Sequence, residues 1–310
     1  MKLLVTCPPM LGLIDQFSAT CRAKGIDFVC PNVTQTLAEE ELLQLVPAVD
    51  AWIIGDDPAT ARVFEAGSKG RLRAAVKWGI GIDNVDVDAA RRLGIPFANT
   101  PGMFGREVAD VAMGYVIALA RETFVVDRGV RAGGWPKPRG ISLAGKQLAV
   151  LGLGDIGTNV ARRALASEME VIGFDPAIRD RHLPAGVRVF AWPEGLEHCD
   201  FLVVACALTA GNRRMVNAAT FARVKPGLRL VNVSRGALVD EAALVTALES
   251  GQVHSAALDV FEREPLPLDS SLRRHDRCVF GSHNSSNTTD AVVRASNQAL
   301  SEIFSMLRVS

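Results

Sequence analysis

The chain has 310 residues, 48% of them hydrophobic and 22% charged, and its 34 Lys plus Arg balance 34 Asp plus Glu to a formal net charge of zero. That length accommodates one large or two medium α/β domains with a substantial core, and the balanced charge leaves no footprint for nucleic acid or a polybasic membrane anchor. The six cysteines, at 7, 21, 30, 199, 206 and 278, form no CxxC pair and read as reduced core thiols of a cytoplasmic protein, with no metal ligand set expected. MKLLVTCPPM holds too short an apolar run for a signal-peptide core, and no stretch approaches a membrane span, so neither a leader nor a membrane helix is expected.

Leu3 to Thr6, Asp27 to Cys30, Ala51 to Ile54, Ala75 to Trp78 and Ile95 to Ala98 read as strands. Between them Thr36 to Val46, Pro58 to Ala66 and Val87 to Leu93 read as helices, the last ending at Gly94. Strands alternating with helices predict a parallel sheet covered on its faces, hence a first small α/β domain. NTPGM, 99 to 103, breaks the pattern. Glu107 to about Arg131 then reads as one long helix, with Val108, Val111, Ala112, Tyr115 and Leu119 on one face, placed to bridge two domains. GGWPKPRG, 133 to 140, is a Pro/Gly loop in which Trp135 reads as a surface anchor.

The stretch 147 to 176 has the plan of a dinucleotide site: a strand from Gln147 to Leu151, a turn with Gly152, Gly154 and Gly157, a helix, and a second strand ending at Asp175. Gly152 permits the tight turn, Gly154 lets backbone approach a pyrophosphate, and Gly157 lets helix and strand pack closely. The helix N-terminus offers N–H groups and a dipole to the anion. Asp175 can accept hydrogen bonds from a ribose 2′-OH and would repel a 2′-phosphate, so NAD is expected over NADP.

Further strands are expected at Val187 to Phe190, Phe201 to Ala205, Leu228 to Val233, Ser255 to Val260 and Cys278 to Phe280, with helices between most of them, notably Asp240 to Leu248. A final amphipathic helix, roughly Thr288 to Leu307, has no strand after it. Ligands of open parallel sheets bind beyond the carboxyl ends of the strands. There, Arg235, Glu264 and His283 follow three successive strands. His182, His198, His254 and His275 lie in polar turns or charge runs, whereas His283 follows a buried-looking strand and precedes a Ser/Asn/Thr cluster suited to a helix N-cap.

The stretches KWGIGIDNVD (77 to 86), NTPG (99 to 102), LAGKQLAVLGLGDIG (143 to 157), NVSRGALVDEAAL (232 to 244), LDVFEREP (258 to 265) and SHNSSNTTDA (282 to 291) resemble the D-2-hydroxyacid dehydrogenases, in particular their phosphoglycerate-dehydrogenase-like branch. The resemblance implies an α/β fold of two doubly wound parallel-sheet domains. A Rossmann NAD-binding domain of residues 99–287 would be inserted into a flavodoxin-like substrate domain of residues 1–98, to which the 288–310 helix returns, with the substrate in the cleft between them. Arg235 would bind the carboxylate and carbonyl oxygen of a small or medium 2-hydroxy or 2-oxo acid. His283 would be the acid/base, held in one tautomer and favoured in its protonated form by Glu264. Asp259 would bond the nicotinamide carboxamide, and Thr209 would lie near the cofactor. Asp155, Ile156, Pro176, Cys206 and Val233 complete the expected cofactor contacts. Trp78, Gly79, Ile80 and Gly81 would form the substrate-carboxylate loop, with N–H groups around Ile80 and Gly81 as donors. A homodimer is implied as well.

Three departures qualify this expectation. Ser282 and Ala207 stand where the family commonly has proline. The loop IIGDDPAT, 53 to 60, carries Gly55, Asp56 and Asp57 where phosphoglycerate dehydrogenases resemble one another in carrying an arginine, so a substrate phosphate is expected to be repelled. The chain stops after the return helix, so no C-terminal regulatory domain is expected. The alternatives are a catalytically silent NAD(H)-sensing partner protein, or a formate- or phosphite-type dehydrogenase on the same plan.

Overall fold

The computed structural model describes residues 1–178 and 183–309; His182 lies outside the described residues. The chain divides into two units, Met1–Phe104 with Asn287–Ser310, and Gly105–Ser286.

The sheet of the first unit is built from β1 (Lys2–Val5), β2 (Asp27–Val29), β3 (Ala51–Ile54), β4 (Ala74–Lys77) and β5 (Phe97–Asn99), all parallel, in the order β2-β1-β3-β4-β5. Every residue of β3 and β4 is buried, as strands covered on both faces must be, and this is why they read as unbroken apolar runs. The order is that of doubly wound flavodoxin-like sheets, whose switch point falls between β1 and β3. Here that switch point is filled from within. The Asp57 carboxylate is fully buried and accepts from Leu37 N at 2.8 Å, Gly55 N at 3.1 Å and the Thr6 hydroxyl. The Trp52 indole in turn donates to Thr6 Oγ1 at 2.9 Å. Burial pushes the Asp57 carboxyl up against these donors. Asp56 pairs with the buried Lys77 ammonium at 3.1 Å. The expectation that this loop turns two acids toward a phosphate is therefore corrected: one acid is a core group and the other has a lysine counter-charge.

Around this sheet lie α1 (Pro8–Leu11), α2 (Asp15–Ala23), α3 (Glu39–Leu45), α4 (Ala61–Lys69) and α5 (Val87–Arg92), and the C-terminal helix, Thr289–Leu307, packs against β4. Neither α1 nor α2 is foreseen in the sequence reading. Helix α4 starts three residues later than expected because the Thr60 side chain caps it, accepting from Val63 N. Trp78 is buried against the C-terminal helix, its indole donating to Ser296 Oγ at 3.1 Å and its ring lying 4.8 Å from that of Phe104.

The second unit holds β6 (Gln147–Leu151), β7 (Glu170–Phe174), β8 (Val187–Val189), β9 (Phe201–Val204), β10 (Leu228–Asn232), β11 (Val253–Leu258) and β12 (Cys278–Phe280). They form one parallel sheet in the order β12-β11-β10-β9-β6-β7-β8. Its helices among the described residues are α6 (Gly105–Arg121), α7 (Thr123–Arg131), α8 (Asp155–Ala166), α9 (Ala218–Phe221) and α10 (Glu241–Glu249). The single helix expected over Glu107 to Arg131 is thus two. Glu122 takes a left-handed conformation, φ 54°, and ends α6, its carboxylate 3.3 Å from His254 Nε2. The buried Arg229 donates to the α6 carbonyl of Leu119 at 3.2 Å, which satisfies one of the acceptors that a helix C-terminus leaves open. Trp135 is 76% exposed. No described helix is long and apolar enough to cross a membrane.

Candidate active site

The strand order of the second unit reverses between β6 and β9, so a crevice opens beyond the carboxyl ends of these two strands. The glycine turn sits there. Gly152 has φ 94°, and a Cβ on it would stand 2.5 Å from Cys206 Cα, while one on Gly157 would stand 1.8 Å from the Gly152 carbonyl oxygen. No side chain could occupy either position without moving backbone. Gly154 precedes helix α8 and gives it no side-chain cap, leaving its first turn to the dipole and N–H groups that suit a pyrophosphate. Asp175 closes β7, accepting from Leu153 N and from Ala177 N, both at 2.9 Å. The carboxylate expected at a ribose therefore also braces the turn itself. Together the empty Cβ positions, the uncapped helix start and the terminal acid fit a dinucleotide.

On the β9 side, Cys206 follows the strand. Burial pushes its thiol up to about 11, so it is not a thiolate at neutral pH. Ser234 donates its hydroxyl to the Cys206 carbonyl, and Asn212 knits the exposed Thr209 loop by accepting from Thr209 N at 2.7 Å and donating to the Ala207 carbonyl at 2.8 Å. Sequence reading missed both Ser234 and Asn212, because short polar side chains that bond to backbone carry no spacing signal.

The three candidate residues Arg235, Glu264 and His283 follow β10, β11 and β12. A Cβ on Gly236 would lie 1.8 Å from the Phe261 carbonyl carbon and 2.3 Å from Glu262 N, so the Arg235 turn is pressed directly onto the loop that carries Glu264. Arg235 Nη1 donates to the Ser234 carbonyl at 2.9 Å, and the Asn232 side chain holds the Arg235 carbonyl at 3.0 Å. Glu264 is fixed at both oxygens: Oε1 accepts from Phe261 N at 2.9 Å, and Oε2 lies 2.8 Å from His283 Nδ1. Both side chains of the pair are about four-fifths buried, at 22% and 18% exposure. His283 itself has φ 55°, a left-handed backbone that a non-glycine residue adopts only where its surroundings impose it. Asp259, at 3% exposure, lies just below. Tyr115 of α6 is near it, and burial together with the Asp259 charge pushes the Tyr115 phenol up to about 12. Val233 is buried, and Pro176 is exposed.

The family model for the NAD binding domain of D-isomer specific 2-hydroxyacid dehydrogenases matches residues 113–285. This chain belongs to that family. It is 39% identical over 259 residues to the chloroplastic D-3-phosphoglycerate dehydrogenase 2 of Arabidopsis thaliana, covering 82% of this chain and 41% of the relative. It is 36% identical to the hydroxypyruvate reductase of Thermotoga maritima, covering 89% of this chain and 90% of that one. The TT0316 protein of Thermus thermophilus shares its fold with a TM-score of 0.85 at 29% identity, over 99% and 97% of the two chains. The chain spans less than half the length of the Arabidopsis relatives it matches. As a 2-hydroxyacid dehydrogenase family member with the family's NAD binding domain, it takes NAD as cofactor.

In the first unit, the loop after β4 has two of its N–H groups committed. Trp78 N donates to the Ile54 carbonyl at 2.9 Å and Gly79 N to Thr100 Oγ1 at 2.8 Å. Ile80 follows at 49% exposure, then Gly81.

Proposed function

We propose that the chain is an NAD-dependent oxidoreductase that interconverts a small or medium 2-hydroxy acid and its 2-oxo acid, with His283 as acid/base. One observation carries this most strongly: the His283–Glu264 pair stands on the sheet edge that also bears Arg235 and the phosphate turn. Bound NAD(H) supplies or accepts the hydride. Glu264, anchored by Phe261 N, accepts from Nδ1–H of His283, which assigns Nε2 as the nitrogen that gives a proton to the carbonyl oxygen in reduction and takes it back in oxidation. Arg235 meets the substrate carboxylate and carbonyl oxygen through its fork of donors. Gly152, Gly154, Asp155, Ile156 and Gly157 would hold the pyrophosphate, Asp175 a ribose hydroxyl and Asp259 the nicotinamide carboxamide, with Pro176, Cys206, Thr209 and Val233 as further cofactor contacts.

In the first unit, Ile80 and Gly81 are the proposed carboxylate donors, with Gly79 shaping the loop and Trp78 forming its rigid wall. That unit is proposed as the substrate domain. No observation favours a silent sensor or a formate-type enzyme. A homodimer rests on the family resemblance and cytoplasmic residence on the reduced-looking cysteines, and light scattering on the purified chain tests the first.

The test is the loss of NADH absorbance with glyoxylate, pyruvate, hydroxypyruvate, phenylpyruvate and 3-phosphohydroxypyruvate, each repeated with NADPH. Acid-dependent turnover that prefers NADH supports the reading, as does a narrowed preference in Asp175→Ala. Tight NADH binding with no turnover on any acid would contradict it.

A further inference from the structure

The left-handed backbone at His283 has an identifiable cause. Asp259 N donates to the Asn232 carbonyl at 3.0 Å, which ties the end of β11 to β10, and the Asp259 carbonyl accepts from His283 N at 2.7 Å. Its carboxylate takes the next two residues in turn: Oδ1 accepts from Asn284 N at 3.2 Å and Oδ2 from Ser285 N at 3.0 Å. Three consecutive N–H groups are thus held by a single residue. Ser285 completes the arrangement by donating its hydroxyl to the same Oδ2. Ser285 is 6% exposed and Asp259 3%, so water does not replace that donor readily, and a buried carboxylate depends on the hydrogen bonds it is given.

We propose that Ser285 is a positioning residue for His283: its hydroxyl locks the Asp259 carboxylate, which pins residues 283–285 and with them the left-handed His283 backbone that places Nδ1 against Glu264. The hydroxyl touches neither reacting atom and acts only through Asp259. A Ser/Asn/Thr cluster before a helix suggests capping, but the cap of the C-terminal helix is Thr288, which accepts from Ala291 N at 3.1 Å. Ser285 is therefore left to the turn. Its role in turnover rests on the proposed function, whereas the geometry it enforces does not.

The experiment compares the parent with Ser285→Ala, Ser285→Thr and Ser285→Cys, the last keeping the size with a weaker donor. Two readouts are used: kcat on the best 2-oxo acid with NADH, and the downfield Nδ1–H proton resonance of His283 in the NADH-free protein, assigned by its loss in His283→Asn. Losing a hydrogen bond to a charged group corresponds to a change of roughly tenfold or more. Ser285→Ala is expected to lower kcat about tenfold and to broaden or abolish the Nδ1–H signal. Ser285→Thr should restore both readouts and Ser285→Cys should fall between. An unchanged resonance in Ser285→Ala and Ser285→Cys would overturn the proposal, as would a kcat loss that Ser285→Thr does not recover. Should the parent turn over no acid, the function reading fails while the resonance still decides the role of Ser285.

Discussion

At the scale of single residues, the proposed acid/base pair is made of groups whose freedom has been removed. Glu264 could be one more solvated charge in the run EREP, yet its two oxygens are assigned to Phe261 N and His283 Nδ1. Glu264→Gln keeps the shape but puts an amide where the imidazolium needs a counter-charge. We expect kcat at neutral pH to fall by at least about tenfold, and the pH optimum to move down because the protonated imidazole is no longer favoured. A pH–rate profile that superimposes on the parent's would remove Glu264 from the mechanism. The candidates Arg235, Glu264 and His283 were legible because each follows an apolar strand on one sheet edge. Ser285 was not, since its partner Asp259 is 26 residues away and nothing in SHNSSNTTDA distinguishes a side chain that bonds a remote carboxylate from one that caps a helix.

At the scale of elements, parallel strands were the most readable part of the chain. Buried on both faces, β3, β6 and β9 carry no polar alternation and announce themselves as apolar runs. Helix α2 was hidden by its thin buried stripe, Phe17 and Cys21 in nine residues, and by the prolines that precede it. The break between α6 and α7 was hidden because a left-handed glutamate has no sequence signature. Loop-to-loop contact is where elements meet chemistry. Gly236→Ala would drive a methyl into the Phe261 and Glu262 backbone, which cannot rotate away as a flexible side chain could. A loss on the order of 3 kcal/mol, seen as a melting temperature lower by roughly 10 °C, should accompany a fall in kcat as the Arg235 turn shifts. Melting within a degree or two of the parent would show that these two loops have room to part.

At the scale of the whole molecule, two doubly wound sheets in one chain place an internal anion at one switch point, Asp57, and an anion-receiving glycine turn at the other. Residue types alone did not separate them: Asp56 and Asp57 looked like ligand-facing charges until burial and Lys77 were seen. Acid sensitivity follows from a different carboxylate, Asp50. Burial pushes the Asp50 carboxyl up, but the Lys2 N–H and the Arg71 guanidinium, with Arg73 beyond it, outweigh burial and hold it below the ordinary range. Its folded value lies below its unfolded one, so the folded state binds fewer protons. Asp50 therefore contributes stability above about pH 4 that is lost as pH falls through the folded value. Asp50→Asn should be less stable than the parent at pH 7 and should lose less on acidification below about pH 4, as followed by urea midpoints. Parallel pH curves for the two proteins would refute the assignment.

The most direct test of the central claim compares kcat and NADH affinity in the parent and His283→Ala, on the 2-oxo acid that the parent reduces fastest. The account predicts a fall in kcat of about 10² or more with the NADH Kd essentially unchanged. Turnover within a few-fold of the parent would contradict it, because the Glu264-held imidazole would then not be the group that moves the proton.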